Sequence, residues 1–106
     1  MINLKQETIE AIEENKKDIK DVMFVGTNDG KLRIPIELFL DMSDFVYHNG
    51  FGGNEISTNL IVFFKDGSYL RREEYDGSEW WTYISNKSFN EIDEFEELTV
   101  DDFYFG

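Results

Sequence analysis

The sequence contains no cysteine, one histidine and one proline among its 106 residues. The missing cysteine excludes disulfides and thiol chemistry, and it removes the sulfur ligands of ordinary zinc sites. The histidine, His48, lies in a glycine-rich stretch without a nucleophile motif, so it is interpreted as a surface or turn residue. We therefore expect no enzymatic activity, no metal site and no cofactor.

Long apolar segments are also missing. The longest apolar run, Leu60–Phe64, is far too short to span a membrane. The N-terminus lacks the basic and then apolar pattern of a secretory signal. Together with the lack of cysteine, these features predict a cytoplasmic protein, and the length predicts a single domain of residues 1–106. Ten phenylalanines, five tyrosines and two tryptophans are enough to fill its core.

Basic residues are scarce, with 10 lysines and arginines against 23 acids and a formal net charge of −13. Such a field repels nucleic acid and anionic membranes, and it attracts a strongly basic surface. The composition therefore predicts a basic protein partner and no direct contact with nucleic acid or membrane. The alternative interpretation is that the acids only provide solubility.

The clearest secondary-structure signal lies in Leu60–Ile84, where two Asp-Gly pairs separate segments of aromatic and β-branched residues. Asp-Gly is typical of tight hairpins because both central residues of a type I′ turn need positive φ. The pattern predicts an antiparallel β-meander with strands at about 60–65, 68–75 and 79–84.

The adjacent tryptophans Trp80 and Trp81 follow the second of these turns. If Asp76-Gly77 forms a two-residue loop, Trp81 pairs with Arg72 and Trp80 with Glu73, whereas a three-residue loop shifts the register by one. Successive strand side chains point to opposite faces, so we expect one tryptophan in the core and the other on the outer face, stacked with an arginine. Either both tryptophans only hold the sheet together, or the outer one anchors an interface.

Two helices are predicted before the meander. Asn3 and Gln6 form a capping-box pattern before an amphipathic run, which predicts a helix from about 4 to 19 packed on the sheet. Pro35 favours a second helix ending near Asp44, with a strand continuing through Leu40 as the alternative. Two short apolar segments predict strands at Val22–Val25 and Leu32–Ile34. The expected fold class is α+β.

The segment Tyr47–Gly53, YHNGFGG, is predicted to be a loop because its glycines and asparagine allow unusual backbone angles. It lacks the Lys-Ser/Thr pair of a phosphate-binding loop. We interpret it as a contact loop that displays Tyr47 and Phe51.

The C-terminal part of the chain is strongly acidic. Phe89, Ile92 and Phe95 recur at helical spacing, which predicts a short acidic helix with one apolar face and outward carboxylates. The aromatic end, Phe103–Phe105, is expected to dock on the body or to add a last strand. Seven acids and no base lie between Phe89 and Asp102, and they are the candidate partner-binding carboxylates: Glu91, Asp93, Glu94, Glu96, Glu97, Asp101 and Asp102.

The glycine segment followed by Tyr75–Trp81, YDGSEWW, resembles a set of small acidic uncharacterised proteins of Gram-positive bacteria and their mobile elements. No biochemical role comes with that resemblance. In size, acidity and lack of catalytic motifs the chain also resembles, in type, the type II-A anti-CRISPR proteins of phages and plasmids. That second resemblance implies a stoichiometric inhibitor of an RNA-guided nuclease.

The expected function is therefore that of a small acidic inhibitor of a basic nucleic-acid-binding protein, acting as a nucleic-acid mimic. The more specific version of this hypothesis is an anti-CRISPR protein that blocks binding of guide RNA or DNA by an RNA-guided nuclease. Tyr47, Phe51 and one of Trp80 and Trp81 are the candidate apolar anchors beside the seven carboxylates. The alternative is a housekeeping or immunity-type protein that neutralises another basic partner, such as a toxin or nuclease.

Overall fold

A computed structural model of the chain describes residues 1–48, 55–85 and 95–104. Within these residues, six strands form one mixed sheet, two further strands form a small separate ladder, and two α-helices are present. The α+β class expected from the sequence is confirmed, with an N-terminal helix packed on the sheet.

The chain begins with strand β1 (Ile2–Asn3) and helix α1 (Leu4–Glu14). Asn3 caps α1, since its side-chain oxygen accepts a hydrogen bond from the N–H of Gln6. The helix ends earlier than the predicted residue 19 because Lys16 adopts a φ of 60°, a left-handed conformation that stops a helix.

Three strands and a second helix follow: β2 (Val22–Thr27), β3 (Leu32–Ile34), α2 (Ile36–Met42) and β4 (Val46–Tyr47). Pro35 is the residue before the first turn of α2, so the helix interpretation is confirmed and the continuous strand through Leu40 is wrong. Gly26 lets β2 and β3 approach closely, because a Cβ atom there would lie 2.0 Å from the carbonyl oxygen of Leu32.

The meander consists of β5 (Leu60–Phe64), β6 (Tyr69–Tyr75) and β7 (Ser78–Ile84), close to the predicted bounds. Asp76 and Gly77 both have positive φ, and the two-residue loop pairs Arg72 with Trp81 as predicted for that loop length.

The first turn of the meander differs from the predicted type I′ turn. Only Gly67 of its Asp-Gly pair has positive φ, and the Phe64 N–H donates to the carbonyl oxygen of Ser68. Lys65, Asp66 and Gly67 therefore form a three-residue loop with glycine in the left-handed position.

Strand β8 (Glu96–Glu97) pairs in parallel with β3, and a short 3-10 helix follows at Val100–Phe103. The predicted acidic helix is thus wrong at residues 96–97, which are extended, and the rest of it lies largely outside the described residues. Phe103 is fully buried and Tyr104 bridges to Ile56, so the aromatic end docks on the body as far as it is described.

The strand order of the sheet is β7-β6-β5-β2-β3-β8. One face, the inner face, carries α1, α2 and the main core, in which Leu60, Val62 and Phe64 of β5 are buried. The opposite, outer face holds a second buried cluster that includes Ile61, Phe63 and Tyr69. No helix in the described part of the chain is long and apolar enough to cross a membrane.

Candidate functional site

A buried charged cluster joins α1, β4 and the meander. Arg72 is only 2% exposed, yet its Nη1 donates to Glu7 at 2.9 Å and its Nη2 donates to the Tyr47 hydroxyl at 2.8 Å. The Tyr47 hydroxyl in turn donates to Glu7, and Glu79 lies 3.6 Å from Arg72 Nη2. A buried guanidinium is tolerated only when such partners compensate its lost hydration.

Trp81 covers this cluster from the neighbouring strand. Its ring centroid lies 4.9 Å from the guanidinium carbon of Arg72, and its Nε1 donates to the Thr8 hydroxyl at 3.0 Å. The predicted arginine–tryptophan stacking therefore exists, but with the half-buried inner tryptophan rather than with the outer one. Trp81 is thus a packing residue between α1 and the sheet.

The structure corrects the sequence-based interpretation of Tyr47. It was expected to be displayed on a contact loop, whereas it lies in β4 and is 3% exposed. Burial raises the pKa of its hydroxyl well above the ordinary value, the Arg72 charge opposes this rise, and the hydrogen bond to Glu7 adds to it. Tyr47 is therefore a neutral internal donor in this structure.

Glu79 connects the same cluster to the segment after the glycine loop. Its carboxylate accepts hydrogen bonds from the N–H groups of Glu55 at 2.7 Å and Ile56 at 2.8 Å. The exposed His48, on the other side of the loop, donates its backbone N–H to Glu55 Oε2. The β6–β7 hairpin thus fixes the chain on both sides of residues 49–54; Phe51 lies outside the described residues.

Trp80 occupies the outer face of the hairpin. It is 38% exposed, and its Nε1 donates to the Thr82 hydroxyl, which donates to Glu73. Arg71 holds the other oxygen of Glu73, and the hydrogen bonds from Arg71 and Thr82 lower the pKa of this carboxyl group. Because its N–H is already bonded and its orientation fixed, the indole presents an apolar surface ready for contact.

A groove of about 870 Å³ lies on the outer face beside Trp80. Tyr69, Arg71, Glu73 and Tyr75 line it along β6, and Tyr75 is 76% exposed. The groove therefore combines exposed aromatic side chains with charged groups that already compensate each other, a composition common at protein interfaces.

The described C-terminal acids divide into two kinds. Glu96 and Glu97, which we call the acidic edge, are exposed on β8, and Asp101 is exposed in the 3-10 helix. Asp102 instead accepts hydrogen bonds from the Thr99 N–H and hydroxyl, so it caps the short helix. The remaining candidates, Glu91, Asp93 and Glu94, lie outside the described residues.

The candidate residues do not form one patch. Trp80 lies on β7 and the acidic edge on β8, which are the two opposite ends of the sheet. Five strand spacings separate them, so the distance across the sheet is about 24 Å at roughly 4.8 Å per spacing. An interface containing both would have to extend across the sheet.

Within residues 1–48, 55–85 and 95–104, no three acidic or histidine side chains are grouped so that they could hold a metal ion. Comparisons with protein-family models, curated proteins and solved structures found no match. Support for a function therefore comes from the chain's own charge and geometry.

Proposed function

We propose that the protein is a small acidic inhibitor that binds a basic nucleic-acid-binding surface of another protein and excludes nucleic acid from it. The observation that carries this proposal is the distribution of charge. The net charge is −13, and three of the nine bases in the described residues are engaged with acids: Lys17 with Asp66, Arg71 with Glu73, and Arg72 with Glu7 and Glu79.

The exposed carboxylates of the acidic edge supply the negative surface in this proposal. Glu96 and Glu97 are consecutive residues of an edge strand, so their carboxylates lie on opposite faces of the sheet edge, and no described base forms an ion pair with either of them. Because exposed charges act mainly through long-range attraction, they accelerate association with a basic channel. The seated contact then uses Trp80 as the apolar anchor, since buried aromatic side chains contribute most of an interface's free energy.

An RNA-guided nuclease is the specific target that the resemblance to anti-CRISPR proteins suggests. Such a nuclease holds its guide RNA and DNA in a positively charged channel, and an acidic protein can compete for that channel. Binding of the inhibitor and of nucleic acid would then be mutually exclusive.

The test measures nucleic-acid binding and cleavage by a type II RNA-guided nuclease with increasing amounts of the purified protein. We expect stoichiometric inhibition that excess guide RNA relieves, and an association rate that falls as salt increases. The absence of both binding and inhibition would refute the RNA-guided nuclease as target. If the protein also neither binds nor inhibits other basic nucleases and nuclease toxins, the proposed function is refuted.

A matched pair of double variants locates the surface. Glu96→Lys/Glu97→Lys and Glu10→Lys/Glu14→Lys change the net charge equally, and all four side chains are exposed. If the acidic edge contacts the partner, only the first double variant should strongly slow association. Equal effects of the two variants would show that net charge alone matters, and no effect of either would contradict charge mimicry.

A further inference from the structure

The two edges of the six-stranded sheet are built differently. At one end, β8 is two residues long and both are exposed glutamates. At the other end, β7 is seven residues long, and its single charged residue, Glu79, is 3% exposed and held by Arg72. Natural sheets protect their edges with short strands and charged side chains. The β8 edge is therefore protected against strand pairing, whereas β7 carries neither device and no strand among the described residues covers its free side.

The register identifies which backbone groups β7 offers. The two-residue loop at Asp76-Gly77 is closed by a hydrogen-bonded Tyr75–Ser78 pair, and such pairs alternate with non-hydrogen-bonded pairs along the ladder. Three residues of β7 thus direct their N–H and C=O groups away from β6, and these are Glu79, Trp81 and Tyr83.

The pairing of β6 with β5 identifies the same outward-directed residues of β7. Phe64 donates its N–H to Ser68, so the backbone groups of Leu70 point toward β5 and those of Arg71 toward β7. Arg71 is opposite Thr82, which leaves Trp81 and Tyr83 directed outward. No backbone segment in the described part of the chain pairs with these outward groups.

We propose that the β7 edge binds the β7 edge of a second copy of this chain, antiparallel, with the two-fold axis at Trp81. Trp81 is both the central residue of Ser78–Ile84 and one of the outward-directed residues. The axis therefore pairs every residue of β7 with a residue of β7 in the second copy, as a symmetric dimer interface requires. Across it, Trp81 faces Trp81 of the second copy, Glu79 faces Tyr83, Trp80 faces Thr82 and Ser78 faces Ile84.

The net charge of −13 does not exclude a second copy at this edge, because the edge itself brings no like charges together. In this register no carboxylate faces another carboxylate. Trp81 faces Trp81 and Trp80 faces Thr82, which are favourable cross-strand pairs, and Tyr83 faces Glu79. The remaining acids repel over longer distances, and salt screens exposed charges beyond about 8 Å at physiological ionic strength. The dimer should therefore become stronger as salt is raised, opposite to the behaviour expected for binding to a basic partner.

Two variants at one position test the proposal. Tyr83→Ala and Tyr83→Pro both lose the ring that packs near Phe64, but only Tyr83→Pro removes an outward N–H and places a proline ring at the edge. Analytical ultracentrifugation over a wide concentration range should show wild type and Tyr83→Ala moving from 12.5 kDa toward twice that mass. Tyr83→Pro should dimerise at least roughly tenfold more weakly.

A measurement on the unmodified protein covers the case in which Tyr83→Pro does not fold. The amide protons of Glu79, Trp81 and Tyr83 should exchange more slowly at high protein concentration than at low concentration, because the second strand protects them. A monomer at all concentrations would overturn the proposal, and so would equal dimerisation of Tyr83→Pro and Tyr83→Ala. A monomeric protein whose partner binding is lost only in Tyr83→Pro would also overturn it, since the edge would then bind a strand of the partner.

Discussion

Arg72 and Trp81 lie directly opposite each other on β6 and β7, and the guanidinium of one stacks on the indole ring of the other. The stacked pair lies on the inner face of the sheet beneath α1, where the arginine also bonds to Glu7 and the tryptophan to Thr8. One cross-strand pair thus connects the N-terminal helix to the meander.

The first prediction contrasts the two adjacent arginines. Arg72→Ala should lower the free energy of unfolding by about 3–5 kcal/mol, because it leaves the buried Glu79 carboxylate without its charged partner. Arg71→Ala should cost about 0–1 kcal/mol, since Arg71 is half-exposed and its ion pair with Glu73 lies at the surface. Urea denaturation of both variants measures the difference. Equal losses would contradict the assigned roles.

The second prediction separates the tryptophans. Trp81→Ala should lose about 3–5 kcal/mol of stability, as deletions of packed aromatic side chains do. Trp80→Ala should lose about 1 kcal/mol or less, because its ring projects from the outer face. If Trp80 is the apolar anchor of the partner interface, Trp80→Ala should instead weaken partner binding. Calorimetry measures that affinity. A Trp80→Ala variant with unchanged affinity would remove the anchor from the proposed interface.

The third prediction concerns alkaline pH. The folded protein holds the Tyr47 proton more tightly than the unfolded chain, so this group's contribution to stability is complete below its ordinary pKa of 10.0. It is lost as pH rises above that value, by at most about 1.4 kcal/mol per pH unit. Denaturation curves at increasing pH should therefore show wild type approaching Tyr47→Phe in stability. A constant difference between them would contradict the raised pKa.

The fourth prediction is that the purified protein binds neither duplex DNA nor RNA at physiological salt. Nucleic-acid affinity depends largely on basic side chains that displace counterions, and here Arg71 and Arg72 are already paired with carboxylates. A gel-shift titration into the micromolar range checks this. A shifted band that disappears at high salt would show direct binding.

The meander could be predicted from sequence because its signals are local. The Asp76-Gly77 pair specifies a turn by its backbone angles, and a turn of known length fixes the register of both strands, including the Arg72–Trp81 pair. The apolar run Leu60–Phe64 similarly indicated the central strand, which is buried on both faces.

The buried cluster could not be predicted in the same way. Glu7, Tyr47 and Arg72 are separated by 40 and 25 residues, and only the tertiary fold brings them together. The sequence nevertheless held one signal. Arg72 shares a strand face with Leu70 and lies opposite Trp81, so an arginine was placed among apolar residues and required internal partners.

The strand order also has a kinetic consequence. Apart from β8, the described sheet consists of two segments of neighbouring hairpin strands, β2–β3 and β5–β6–β7, and these segments meet where β2 pairs with β5. Hairpins close short loops quickly, whereas the β2–β5 pairing must first bring distant parts of the chain together at an entropic cost. We expect the meander to be largely formed in the folding transition state and the β2–β5 ladder to be completed afterwards. Substitutions in the Asp76-Gly77 turn should then slow folding, and substitutions in β2 should mainly accelerate unfolding.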